Sequence, residues 1–570
     1  MPPAATNAEI AAAFAEIADI LDLKGDNPFK IRAYRRAAQL VAGFEKPMAE
    51  VERLEDLPGI GKELAEKIRT LVRGEPLPTL EKLRGEVSPG LLELLRVRGL
   101  GPKRVKELHE KLGIAGLADL EKALDEHRVQ ELKGFGAKLE EETQKGIAAH
   151  KQHRARTRLD LARAEAEVIV AHLSGTKGIK RIQPAGSLRR WLETVGDLDI
   201  LVTGADPGPV MDRFVSYPKV KEVLARGETK SSIVLKSGLQ VDLRFLQPES
   251  FGAGLYYFTG SKDHNIAVRK LAKARGWKVS EYGVFKGQKL LAGATEEEIF
   301  KRFGMAYIPP ELREDRGEIA AALANKLPRL IELQEIKGDL QVHSEASDGR
   351  NSLAELAEKA KSLGYSYLGI TDHSIGQRQA HGLSVERMQK HITAIRKQSE
   401  KLKGVALLAG AEVDILKDGG LDYPPVLLQK LDLVLGSIHA NFNLPAAEQT
   451  SRVVKAIESG LIHVFSHPST RLIGERDPIE LDWEPITRAC LKYNVAVEIN
   501  ASPHRLDVNG ERARVLQEAG VKLAISTDAH SLVGLGDMIY GVFTARRGWI
   551  VAKDVINTWP LGKLQKWLKR

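Results

Sequence analysis

The sequence predicts a multidomain α and α/β protein. A helical N-terminal region precedes a central sheet with flanking helices, and a seven-stranded β/α barrel follows at the C-terminus. Three observations predict this. The first 150 residues read as short helices broken by glycine, and from about residue 165 the texture changes to β-branched alternation. Beyond residue 336 come seven short apolar runs, each ending in a polar residue that can bind a metal. At 570 residues the chain is also too long for one core, since domains average roughly 150 residues.

In the N-terminal region Ile10, Phe14, Ile17, Ile20 and Leu21 recur at helical spacing. Three segments then share one pattern: Leu57-Pro58-Gly59-Ile60-Gly61-Lys62, Val97-Arg98-Gly99-Leu100-Gly101-Pro102-Lys103 and Leu132-Lys133-Gly134-Phe135-Gly136-Ala137-Lys138. Each precedes an amphipathic helix. A Gly-hydrophobe-Gly turn there exposes consecutive backbone N–H groups at a helix N-terminus, which can take a phosphate whatever the base sequence. The alternative is three packing corners of an α-bundle.

In the centre, Asp197-Leu198-Asp199-Ile200-Leu201-Val202, Ser232–Leu235 and Gln240–Phe245 read as strands. Period 2 places Asp197 and Asp199 on one face, while Leu198 and Ile200 point to the core. Asp242 sits the same way between Val241 and Leu243. Three carboxylates on neighbouring strands can hold two Mg²⁺ ions about 3.5–4 Å apart. Held this close without cations they would repel one another. The alternative is surface Asp on an edge strand, with Ser187 a turn residue. Residues 310–335 are charged and predict a helical connector over Glu318–Leu333.

The seven apolar runs are Leu340–His343, Tyr367–His373, Val405–Glu412, Leu431–His439, His463–His467, Val495–Asn500 and Lys522–His530, with helical patterns between them such as Leu353–Leu363 and Arg452–Glu458. Strand and helix in alternation predict a β/α barrel, whose active groups sit at the C-terminal strand ends. His343, Asp348, His373, Glu412, His439, His467, Asp528 and His530 fall at or just beyond those ends. A single buried His is usually a satisfied core residue, but eight such ligands without a Cys are not. Imidazole mixed with carboxylate suits Zn²⁺, Mn²⁺ or Fe²⁺, with room for two or three ions.

Through Gly186-Ser187-Leu188-Arg189-Arg190, the Gly196-Asp197-Leu198-Asp199 spacing and Tyr256-Tyr257-Phe258-Thr259-Gly260-Ser261, the first 320 residues resemble a family X DNA polymerase of the DNA polymerase beta type, in the nucleotidyltransferase superfamily. The resemblance implies that Asp197, Asp199 and Asp242 are catalytic. It implies a dNTP site in which Gly186, Ser187, Arg190 and Gly196 hold the triphosphate, Tyr257, Phe258 and Gly260 line the sugar, and Asn265 and Arg269 face the nascent base pair. It identifies the glycine turns as helix–hairpin–helix motifs, with Gly59, Gly61, Lys62, Gly99, Gly101, Lys103, Gly134 and Gly136 on DNA. Lys30, Tyr34 and Arg35 resemble a 5′-phosphate pocket, and Lys67 stands where the family's lyase nucleophile sits. A desolvated Lys beside other cations has a lowered pKa and can form a Schiff base; the alternative for Lys67 is a solvated phosphate contact. Departures are Glu63 and Phe29 in the lyase region, Gln240 where the family often carries Arg, and Lys262 and Ile266 near the base pair.

The barrel resembles a PHP (polymerase and histidinol phosphatase) domain, and polymerase core plus PHP is the arrangement of bacterial and archaeal family X polymerases. By that resemblance one metal uses His343, Glu412 and Asp528, a second Glu412, His439 and His467, and a third Asp348, His373 and His530. The first motif, usually His-x-His, reads Gln341-Val342-His343, and an amide is a poorer ligand. Asp372, Arg471 and Asn500 are candidates for supporting or phosphate contacts.

Composition bounds the function. Hydrophobic content of 43% and charged content of 28% exclude a wholly disordered chain. No run of about 18 apolar residues appears. Cys490 is the sole cysteine, excluding a disulfide framework. A formal charge of +9 favours a polyanionic partner. The expectation is a cytoplasmic, nucleoid-associated monomer acting on gapped or primed double-stranded DNA with dNTPs, Mg²⁺ at the polymerase site, and Mn²⁺ or Zn²⁺ in a PHP 3′–5′ exonuclease. The expected domains are 1–90 and 91–155 (helix–hairpin–helix), 156–245 (palm), 246–317 (nascent base pair), 318–335 (linker) and 336–570 (PHP). The alternative is a metal-dependent phosphoesterase whose N-terminal region only grips DNA.

Overall fold

A computed structural model describes residues 7–569, apart from 43–47, 52, 74, 76, 96, 98, 99, 133, 134, 137, 138, 142, 145, 146 and 148–155. The chain divides into two compact units, Met1–Ala155 and Arg156–Arg570.

The first unit is helical. The 18-residue helix Asn7–Lys24 packs on Pro28–Ala42, and Ile10, Phe14, Ile17, Ile20 and Leu21 all face the core. Phe14 meets Tyr34 edge-on, with centroids 5.8 Å apart. Proline opens the helices Pro78–Glu86, Pro89–Leu94 and Pro102–Leu112, where its fixed φ suits the first turn and its missing N–H is not needed.

The second unit begins with a five-stranded sheet. Asp197–Gly204 lies between Ile179–Pro184 and Gln240–Phe245, and Lys230–Leu235 and Val220–Arg226 continue the sheet outward. Leu159–Ser174 and Pro207–Val215 cover it, burying Leu198, Ile200, Val202, Val241 and Leu243 beneath them. A smaller layer follows: helices Phe251–Thr259 and Lys262–Ala274 on a three-stranded antiparallel sheet, Lys278–Ser280, Gly283–Lys286 and Lys289–Ala292.

The connector is not the helix expected over Glu318–Leu333. It is helical only over Glu318–Leu323 and Leu333–Glu335. Asn325 turns the chain at φ 52, and Pro328 cannot continue a helix. The intervening stretch buries Leu330 and Ile331 instead.

The barrel has seven parallel strands in sequential order: Gly338–Val342, Tyr367–Ile370, Ala406–Asp414, Leu433–Ser437, Val464–Phe465, Ala496–Asn500 and Leu523–Ser526. Val342 bridges Ala529, bringing the last strand's exit against the first strand. At the N-terminal strand ends Leu340, Tyr367, Leu433, Val464 and Ala496 pack under the helix Leu561–Leu568 through Leu564 and Leu568. The basic tail therefore closes one mouth of the barrel with apolar side chains. The other mouth carries the polar residues.

Two candidate active sites and three glycine turns

The central site is assembled by register. Asp197–Gly204 runs parallel to Gln240–Phe245 with Asp199 directly opposite Asp242, so period 2 puts Asp197 on the same face. Burial, then Asp197 and Asp242, push the Asp199 carboxyl up to about 7; Arg244 and Lys230 work the other way. Asp242 is held below its usual value: burial opposes this, but Lys230 Nζ lies 2.7 Å from Oδ2 and Gln240 Nε2 donates at 3.0 Å to Oδ1. Carboxylates that repel in this way form a donor set suited to divalent cations.

Gly186 opens the neighbouring turn at φ 63, and a Cβ there would come within 2.7 Å of Asp199 Oδ2, so a side chain is excluded. Ser187 follows in the short helix Gly186–Arg189, and Gly196 immediately precedes the Asp197 strand. Arg190 crosses to the next layer. Its Nη1 donates to the Thr259 carbonyl, beside Gly260, and its Nε donates at 3.1 Å to Glu314 Oε1. The Tyr257 and Phe258 rings meet edge-on, 5.3 Å between centroids. Asn265 Nδ2 donates to the Tyr257 carbonyl at 2.8 Å, and Arg269 Nε donates to the Asn265 carbonyl. Arg190 thus links the turn to the smaller layer at Thr259 and Gly260. Sequence reasoning missed Arg244, whose guanidinium lies 4.1 Å over the Phe258 ring; the signal was its period-2 relation to Asp242. It also missed Glu314, over 100 residues from Arg190, and no local pattern marks that residue.

At the open mouth of the barrel all eight expected ligands come together. Glu412 is fully buried at the centre. Its Oε1 lies 2.6 Å from His467 Nε2 and 3.2 Å from His439 Nε2, and its Oε2 lies 3.2 Å from His373 Nδ1 and 3.5 Å from His343 Nε2. Asp528 Oδ1 is 3.1 Å from His343 Nε2. Asp348 Oδ2 is 3.6 Å from His373 Nε2 and 3.4 Å from His530 Nε2. Three groups each bring their ligand atoms within 4.8 Å of one another: His343, Glu412 and Asp528; His373, Glu412 and His439; His343, Asp348, His373 and His530. The first is the expected set. In the second group His373 stands where His467 was expected, and the third gains His343, so adjacent positions share ligands.

His343 Nδ1, His373 Nδ1, His467 Nδ1 and Glu412 Oε2 are buried with no hydrogen-bond partner, which ion coordination would satisfy. Burial lowers His373 to about 4. His439 is pushed up to about 10 against burial by Glu412 and Asp414, the latter 2.6 Å from its Nδ1. That carboxylate fixes which ring nitrogen faces the centre. His467 and Asp528 hold φ of 24 and 57, unusual for residues with a Cβ and typical of strained functional positions.

Gln341, the departure from His-x-His, lies inside the barrel. Its Nε2 reaches Asp528 Oδ1 at 3.4 Å, and its Oε1 accepts from Ser466 Oγ, which also donates to Glu498. Burial and Asp528 push Glu498 up to about 8. Asn500 donates to Asp528 and Glu498. Asp372 accepts from Ser344, Ser347 and His391 and is structural, and Arg471 pairs through two nitrogens with Glu193 of the central sheet region. A missed residue is Arg505. Its Nε is 3.5 Å from Asp528 Oδ2 and its buried Nη1 is unpartnered, which places a cation beside the cluster.

In the N-terminal unit the three glycine turns share one geometry. Ile60, Leu100 and Phe135 each donate N–H three residues back, at 3.0 Å, and each side chain is buried. Gly61 (φ −81, ψ 174) and Gly101 (φ −87, ψ 170) are N-caps without a side-chain cap. Added Cβ atoms at Gly59, Gly61, Gly101 or Gly136 would meet nothing within 4 Å. At these four positions there is open space where a side chain would stand. Gly99 and Gly134 lie outside the described residues, as does the Lys103 side chain. Lys62 is exposed. Lys30 lies 3.8 Å from Asp26, and Arg35 pairs with Asp22 at 2.6 Å. Lys67 sits 5.3 Å from the Tyr34 ring centre and bonds Glu63. Its pKa is raised, not lowered as expected: burial opposes the shift, but Glu63 and Tyr34 outweigh it.

Comparison with known proteins found matches to four families. Residues 5–75 match a helix–hairpin–helix domain family, 91–142 a SAM-like helix–hairpin–helix tandem, 254–314 the DNA polymerase beta thumb and 339–502 the PHP domain. The chain is 38% identical over 558 residues to the DNA polymerase/3′-5′ exonuclease PolX of Bacillus subtilis, covering 97% of this chain and 98% of that one. Proteins named probable phosphatase match part of the chain. One, from Thermoanaerobacter sp., is 27% identical over 229 residues (38% of this chain, 88% of its own), and YcdX of Escherichia coli is 28% identical over 209 residues (35% and 80%). No helix among the described residues is long and apolar enough to cross a membrane.

Proposed function

The chain belongs to the bacterial PolX family of family X DNA polymerases, and from that premise we propose that it fills short gaps in DNA by template-directed nucleotidyl transfer and trims 3′ ends with its barrel cluster. The observation that carries the first half is the opposition of Asp199 and Asp242, with Asp197 on the same face. Two Mg²⁺ ions on these carboxylates would lower the pKa of the attacking 3′-hydroxyl and neutralise the leaving pyrophosphate. The remaining work falls to the chain. The Gly186 turn, Ser187, Gly196 and Arg190 orient the triphosphate. Tyr257, Phe258 and Gly260 close on the sugar and exclude a 2′-hydroxyl sterically. Asn265 and Arg269 face the base pair. Gln240, an amide on Asp242 instead of a guanidinium, leaves Lys230 as the cation that steadies that carboxylate.

Mn²⁺ or Zn²⁺ ions, two or three in number, on His343, Asp348, His373, Glu412, His439, His467, Asp528 and His530 would supply an activated water to a phosphodiester. Arg505 orients that phosphate. The three turns grip DNA backbone without sequence preference, and Lys67 joins them as a phosphate contact, its pair with Glu63 disfavouring the neutral amine a lyase needs. We assign 1–90 and 91–155 to DNA binding, 156–245 to the palm, 246–317 to the nascent pair and 336–570 to the nuclease.

Primer extension on gapped DNA tests the proposal. Wild type extends with Mg²⁺, and Asp199→Ala abolishes synthesis while leaving 3′–5′ degradation within about threefold. Degradation by wild type without any extension would leave a phosphoesterase that merely grips DNA.

A further inference from the structure

We infer that Arg547, in the barrel region, is a positioning residue for nucleotide binding at the polymerase site. The inference rests on the reading of Arg190 as a triphosphate ligand.

Helix Met538–Arg547 carries Tyr540, Phe543 and Arg547 three and four residues apart, which places them along one face. That face covers the end of the Gly186–Arg190 turn. Trp191, the next residue, stacks on Phe543 with centroids 3.7 Å apart and planes 9° apart, and meets Tyr540 edge-on at 6.0 Å. The Arg163 guanidinium lies 4.0 Å over its other side. Trp191 holds φ 56, a left-handed conformation that a bulky residue keeps only where its surroundings over-determine it. The barrel helix supplies those surroundings.

Arg547 extends the clamp to charge. Its Nη1 donates to the Arg190 carbonyl at 2.8 Å and to Glu314 Oε1 at 3.1 Å. The same Glu314 oxygen accepts from Arg190 Nε at 3.1 Å. The three side chains are 13%, 16% and 12% exposed respectively, so the array is screened little by solvent. Arg547 therefore grips Arg190 twice, at its backbone and through the carboxylate that orients its guanidinium. Nη1 of Arg190 is taken by the Thr259 carbonyl, and among the described residues Nη2 bonds no protein group. Nη2 is the nitrogen left to meet a phosphate oxygen. A long side chain held in one rotamer before the ligand arrives loses less freedom on binding. The nuclease region thus completes the nucleotide pocket of the polymerase.

Steady-state single-nucleotide gap filling by the full chain tests this. Arg547→Ala raises the dNTP KM about tenfold while kcat stays within about threefold, and Arg547→Lys, which reaches one acceptor, recovers part of the loss. Glu314→Gln raises KM similarly, and the double variant is no worse than the poorer single one, because both act through Arg190. Nuclease rate and urea midpoint report folding. Should alanine unfold the chain, Arg547→Met keeps the packed stem, removes the donors and carries the same expectation. A KM within twofold of wild type in a folded Arg547 variant, or KM effects that multiply in the double variant, would overturn the inference. Arg190→Ala separates the two layers. If it leaves KM unchanged the triphosphate reading fails; if it raises KM and Arg547→Ala does not, only the positioning role fails.

Discussion

Gly186→Ala perturbs the polymerase centre at one point. The native residue holds φ 63, which an L residue reaches at about 1–2 kcal/mol. The new Cβ would also stand 2.7 Å from Asp199 Oδ2, where ordinary contact begins at 3.4 Å. The carboxylate must therefore retreat by about 0.7 Å, and misplacements near 1 Å cost about 10²-fold in rate. Backbone strain alone lowers Tm by about 1–2 °C. Single-turnover gap filling at saturating dNTP measures the rate, and scanning calorimetry the stability. The expected result is a rate loss of about 10²-fold with degradation of single-stranded DNA unchanged, since the turn touches no barrel ligand. A variant that loses stability but keeps its rate within threefold would show that Asp199 needs no such placement, and the reasoning would fail.

Other consequences are equally accessible. Glu412→Gln places an amide donor among four imidazole nitrogens, so bound metal per chain (by plasma emission) and nuclease rate both fall, the rate by about 10²-fold or more, while gap filling persists; full nuclease activity in a metal-depleted variant contradicts the site. Asp199, pushed up to about 7 from the ordinary carboxylate range, contributes stability that is complete below about pH 4 and is lost as pH rises through about 7. Urea unfolding without divalent ions should show that loss in wild type and less of it in Asp199→Asn; equal pH slopes refute the shift. Gly61→Asp adds a helix cap and a negative charge where a phosphate is read to sit. DNA affinity should fall about tenfold with folding stability unchanged or raised by a few tenths of a kcal/mol; undiminished binding in fluorescence anisotropy returns the turn to a packing role.

Much of the architecture was legible because it is written in local periods. Asp-x-Asp at period 2, the Gly-hydrophobe-Gly turns and the apolar runs ending in His, Asp or Glu each announce an element within ten residues. The connector failed as a helix because Leu330 and Ile331 found a core to enter, an outcome decided by what surrounds them. Lys67 has a raised pKa where the lyase reading needs a lowered one, because Glu63, already legible as a departure from the family, supplies an anion one helical turn away.

By itself the sequence determined which residues could be ligands, which face each occupied, and the order of helical, mixed and barrel regions, since these depend on neighbours a few positions apart. Tertiary structure alone decided that Asp199 faces Asp242, that Glu412 is shared among four imidazoles, and that a barrel helix stacks on Trp191 and clamps Arg190. Those pairings join residues tens to hundreds of positions apart. They depend on sheet order and on which buried charge finds a counterion, and neither is encoded in any local spacing.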